Sequence, residues 1–98
     1  MAFIQIIVFQ TSKYDQIEPM LEEFRAATEG KRTATRAFVC RDRDTPNQYV
    51  NIVEFPSYEE AMKNSELPET AKFAEKMAAL CDGPPAFHNL EVLREETL

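Results

Sequence analysis

The chain has one histidine, two cysteines, no tryptophan and fewer bases than acids, and each shortage removes a class of function. A protein zinc site takes three or four ligands, mostly Cys and His, at close spacing. His88, Cys40 and Cys81 are scattered along the chain, so no metal is expected. Nor do two cysteines make the disulfide framework of a small secreted domain. Both thiols are expected to be buried and reduced, which suits a cytoplasmic location.

Seventeen Asp and Glu against eleven Lys and Arg give a formal charge of −6. That is the wrong sign for nucleic acid or an anionic membrane, both of which reward a basic face. One stretch runs the other way: Lys31, Arg32, Arg36, Arg41 and Arg43, opposed there only by Asp42. It reads either as edge-strand charge that blocks aggregation or as a rim that steers anions. No apolar run is long enough to cross a bilayer. "MAFIQIIVFQTSK" lacks a basic leading region and a small-residue cleavage site, and it reads as a strand.

With 98 residues, 44% of them apolar and 29% charged, the chain fits one globular domain over residues 1–98. Ala2 to Gln10 is apolar at nearly every position and rich in β-branched and aromatic residues, hence a strand. Ile17, Met20, Leu21 and Phe24 follow at the spacing of one helical stripe, with Thr11 or Ser12 as the cap. Pro19 predicts that the regular helix begins close to it, and Gly30 sits where a left-handed C-terminal residue belongs. Thr33 to Arg41 and Tyr49 to Phe55 read as two strands across the polar turn "RDRDTPNQ". Ser57 and Glu60 form a capping box for the next helix. Asn64, Ser65 and Pro68 interrupt that helix, and a further one runs from Pro68 to Leu80. Phe87 to Arg94 is the last strand. The order predicts an α+β, ferredoxin-like βαββαβ sandwich: a four-stranded antiparallel sheet with helices on one face. "FIQIIVF" and "YVNIVEF" are apolar on both parities, as central strands are. Helices cover one face only, so the other needs a partner, and a homodimer through the sheet face is expected.

The stretch "YVNIVEFPSYEEAM" resembles the third strand, serine turn and helix start of the dimeric α/β-barrel superfamily, in particular its antibiotic-biosynthesis monooxygenase-like domains. The similarity runs through the whole chain in order and length. It implies two sheets closing a barrel, and a small-molecule cavity between each sheet and its helices or within the barrel. It also implies, for many relatives, oxygenation of phenolic or polyketide-like compounds with no bound metal or flavin; others degrade haem, cyclise or isomerise small molecules. Counting from Ala61, Ser65 falls where many relatives keep a histidine or tryptophan, and Glu75 or Lys76 falls where a haem ligand belongs. With no tryptophan in the chain, this argues against haem degradation.

Within this frame His88 is the default general base, because only histidine titrates near neutrality unperturbed. The other reading is a structural histidine at a strand end, on the parity of Leu90 and Val92. Asn51 interrupts the most apolar strand, and a buried amide without partners costs about 1–3 kcal/mol. It either pairs with Gln5 on the neighbouring central strand or offers its amide to a ligand. Tyr49 and Phe55, of the same parity, are walls for a planar ligand or plain core aromatics. Glu54 has the opposite parity; it is an acid–base candidate if buried against the helices, and otherwise solvated or paired with an arginine. The functional expectation is a homodimer that binds a small apolar or aromatic molecule. Its reaction is cofactor-independent monooxygenation, with His88 as base and Gln5, Tyr49, Asn51 and Phe55 at the substrate. The alternatives are a non-catalytic dimeric binding module and a cyclase or isomerase on the same scaffold.

Overall fold

The computed structural model describes residues 2–98. Its elements are β1 (Phe3–Gln10), α1 (Tyr14–Ala27), β2 (Arg36–Arg41), β3 (Gln48–Phe55), α2 (Tyr58–Ser65), α3 (Pro68–Leu80) and β4 (Ala86–Glu91). The sheet order is β2-β3-β1-β4 with every neighbouring pair antiparallel. This is the expected ferredoxin-like βαββαβ topology with its second helical segment in two pieces. The two strands apolar on both parities, β1 and β3, take the centre.

Register decides which residues meet. Phe3 lies opposite Phe55, Gln5 opposite Val53, Ile7 opposite Asn51 and Phe9 opposite Tyr49. Side chains alternate along a strand, so these odd-numbered residues share one face, and that face carries the helices. Phe9 and Tyr49 pack with Ile17 of α1 and Met77 of α3, while Phe3 and Phe55 pack with Ala61 of α2. The core is thus two clusters at opposite ends of the sheet. The even-numbered face bears no helix.

Several boundaries differ from the sequence reading. Helix α1 begins at Tyr14, not near Pro19, and encloses the proline. One missing N–H costs that helix one bond, and the fully buried Ile17, three residues into it, outweighs the loss. Thr11 does not cap α1: the N-cap is Lys13, with no side-chain bond. Thr11 is instead fully buried; its hydroxyl accepts from the Lys13 N–H at 3.0 Å and donates to the Leu80 carbonyl at 2.6 Å, tying the exit of β1 to the end of α3. Strand β2 starts at Arg36 because Thr33 is taken by α2, its N–H on Asn64 Oδ1 and its hydroxyl on the Glu60 carbonyl. Strand β4 ends at Glu91, with one further bond from the Val92 N–H to the Ala2 carbonyl. Gly30, at φ +79°, holds the left-handed position beyond α1 as expected.

Candidate functional site

The middle of the helix side lies between the two core clusters, and Asn51 occupies it. Its neighbours across the sheet are Ile7 on β1 and Val39 on β2. Asn51 is only 7% exposed, and its Oδ1 has no hydrogen-bond partner among the described residues. The expected pairing with Gln5 does not form, for a reason of register. Gln5 shares the face but stands opposite Val53 and Asn89, and its Nε2 donates to Asn89 Oδ1 at 3.2 Å. Asn89 was missed in the sequence; only the β1–β4 register reveals it.

Tyr49 and Phe55 flank Asn51 along β3, both buried. The Tyr49 ring stacks between Phe9 (centroids 5.7 Å apart) and Tyr14 (4.5 Å, planes within 10°). Burial, then the nearby Glu18 and Tyr49, push the Tyr14 phenol above its usual pKa, with Arg41 opposing. Phe55 leans on Phe3 at 6.4 Å, and Tyr58 meets Phe3 edge-on at 5.5 Å. Gln5, Tyr49, Asn51 and Phe55 therefore share the helix side.

His88 does not join them. It pairs in register with Ile6, is exposed, and points from the helix-free face. Glu54 is on that face too, bonded to Arg36 at 2.6 Å, which settles it as the arginine-paired carboxylate. The basic stretch is partly committed elsewhere: Lys31 pairs with Glu69, and Arg32 donates to the Arg25 carbonyl and the Thr28 hydroxyl. Among the described residues no group of three or more His, Cys, Asp and Glu is arranged to hold a metal. No helix there is long and apolar enough to cross a membrane.

Two surface clefts stand out. One, of about 120 Å³, runs between α1 and α3 and is walled by Met20, Phe24 and Phe73. The other, about 290 Å³, opens at the start of β1 beside Phe3, Ser57, Tyr58 and Glu91. Neither is lined by Asn51 or His88.

No family model matches the chain, and no curated protein matches its sequence. Solved structures do match, over nearly its full length. A cofactor-independent oxygenase, SnoaB from Streptomyces nogalater, superposes with a TM-score of 0.81 at 17% identity, covering 96% of this chain and 95% of that one. A structure described as antibiotic biosynthesis monooxygenase gives 0.76 at 14% identity, covering 96% and 100%. A Mycobacterium tuberculosis protein gives 0.81 at 14%, covering 99% and 100%. The chain has the ferredoxin-like fold of antibiotic biosynthesis monooxygenase-like structures. The resemblance expected from "YVNIVEFPSYEEAM" holds at the level of fold.

Proposed function

We propose that the chain is a cytoplasmic homodimer that binds a small hydroxylated aromatic on the helix side of its sheet and oxygenates it without a cofactor. The observation that carries the binding site is the Asn51 carbonyl, 93% buried and without a donor. Such an acceptor costs about 1–3 kcal/mol when left unmade, and a phenolic or enolic O–H would satisfy it. Phe55 and the edge of the stacked Tyr49 ring supply apolar walls. Gln5, its Nε2 held by Asn89, lies on the same side of the sheet. The reaction class rests on the fold, shared with a protein described as a cofactor-independent oxygenase. The free thiols of Cys40 and Cys81 fit a reducing compartment.

In that chemistry the substrate is its own reductant. Its deprotonated carbon donates to oxygen and forms a peroxide; O–O cleavage then releases water and leaves a carbonyl, so a CH₂ and O₂ become C=O and H₂O. The sheet residues around Asn51, which are Ile7, Val39, Gln5, Tyr49 and Val53, include no base. His88 lies across the sheet, so the substrate must be acidic enough to ionise by itself, as polyhydroxylated aromatics are.

Oxygen consumption with a panel of hydroxylated aromatics tests the reaction, and tyrosine fluorescence titration tests the site. Uptake that Asn51→Ala abolishes supports the reading. Turnover without oxygen consumption would instead make the protein a cyclase or isomerase. A second reading, a non-catalytic binding module, is favoured by one observation: Phe9, Tyr14 and Tyr49 fill the helix side with one another. Full binding with no turnover of any kind would establish it.

A further inference from the structure

The cleft of about 120 Å³ between α1 and α3 has an aromatic floor. Phe24 of α1 and Phe73 of α3 meet there with ring centroids 4.5 Å apart and planes tilted by 30°, both only half-buried. Met20 lies one turn before Phe24 on the same helical stripe. Met20 and Phe73 rest on the buried cluster of Phe9, Ile17, Tyr49 and Met77, so the core holds the floor from below. One turn beyond Phe24, α1 presents the exposed Ala27, whose methyl leaves open the space that a longer side chain would fill.

Size selects a single ring. An engineered apolar cavity of about 150 Å³ holds benzene, so a cleft of about 120 Å³ takes the greater part of one six-membered ring and has no room for a fused pair. The half-buried faces of Phe24 and Phe73 reward a flat aromatic guest in an offset or edge-on contact.

Charge selects the substituent. The charged side chains lining the cleft are Glu23, Glu69, Lys72 and Lys76. Lys76 bonds to Glu23 at 3.3 Å, and Glu69 is held by Lys31. Glu69, one turn before Lys72, is the acid that Lys72 would otherwise use. The Lys72 ammonium is thus the one lining charge without an ion-pair partner among the described residues. On a chain at −6, this rim is left positive, because its two pairs cancel and Lys72 remains. An anion is the complementary guest, whereas a cation meets only acids already paired.

We infer that the α1–α3 cleft is a binding site for a monocyclic aromatic carboxylate, its ring against Phe24 and Phe73 and its carboxylate on the Lys72 ammonium. The site is separate from Asn51, which does not line it and whose buried carbonyl calls for an O–H donor. Benzoate, ionised at neutral pH, has no such donor and so reports on the cleft alone.

Titration of the isotope-labelled chain with benzoate at neutral pH, followed by amide chemical shifts, is the test. Saturable shifts should concentrate on residues 20–27 of α1 and 69–76 of α3. Lys72→Gln should weaken benzoate about two- to fivefold, as loss of an exposed ion pair does, and raised salt should do the same to the wild type. The neutral isostere benzamide should bind both chains equally. Ala27→Leu, an exposed change that suits a helix, fills the cleft and should abolish binding of both compounds. An absence of saturable shifts, shifts centred on other residues, or benzoate binding that survives Ala27→Leu overturns the site. Benzoate binding indifferent to Lys72→Gln, or benzamide weakened just as much, overturns the place of the carboxylate on Lys72.

Discussion

Two buried polar side chains of similar size make opposite demands. Thr11 is fully buried with its hydroxyl used twice, on Leu80 and by Lys13, so Thr11→Val strands both backbone groups. It should cost about 1–3 kcal/mol in urea unfolding. Asn51 is the reverse case, its Oδ1 already orphaned. Asn51→Leu removes the orphan with the same number and branching of side-chain heavy atoms and should raise stability by about 1 kcal/mol while abolishing binding of hydroxylated aromatics. A destabilised Asn51→Leu would mean the amide is satisfied after all, and the site would lose its main support. The peculiarity of Asn51 was legible in the sequence, because an amide in "YVNIVEF" demands a reason. Its partner was not: parity put Gln5 and Asn51 on one face, but parity carries no register, and the register sets Gln5 two residues away, against Val53 and Asn89. At alkaline pH the titrations of Tyr14 and Cys81 also matter. Burial is the main force raising both pKa values. The unfolded chain therefore ionises first, and stability should decline as pH climbs past the ordinary thiol and phenol values, near 9 and 10. Thermal melts from pH 8 to 11 check this, and a flat profile refutes it.

Among the elements, α2 shows how much a local signal fixes. Ser57 is the N-cap, its hydroxyl accepting from the Glu60 N–H at 3.2 Å, as the Ser–Glu spacing implied. The Glu60 carboxylate turns to Lys63 instead, so the cap is the serine's own. Ser57→Ala should cost about 1 kcal/mol and Ser57→Gly only a few tenths, measured by chemical denaturation; equal losses would point to packing rather than the cap. The break after α2 was also legible, with Pro68 in the first turn of α3. What lay out of reach was its reach across the fold. Asn64 receives the Thr33 N–H on its side chain and the Thr70 hydroxyl on its carbonyl, and so the joint decides where β2 begins. A long-range bond of that kind leaves no periodicity to read, so the sequence pattern alone extends β2 three residues past its start at Arg36. The start of α1 failed similarly: Pro19 argued locally for a late start, and burial of Ile17 against the sheet overrode it.

For the whole molecule, the sequence told which strands are central but not which face the helices take, since β1 and β3 are apolar on both parities. That one missing fact put His88 and Asn51 into a single site, when the sheet stands between them. The proposed function gives the two faces separate tasks, small-molecule binding under the helices and self-association on the open side, and Ile6→Glu tests that division. Ile6 sits in the middle row of the open face, between Ile52 and His88, where a carboxylate costs the free chain little. At pH 8, with only a neutral imidazole beside it, each carboxylate buried in the dimer costs about 3 kcal/mol or more, on the order of 100-fold in Kd per copy. The variant should therefore sediment as a folded monomer that still binds aromatics through Asn51. If binding vanishes along with the dimer while circular dichroism is unchanged, the ligand lies between the two sheets, and the site belongs to the barrel interior rather than to the helix side.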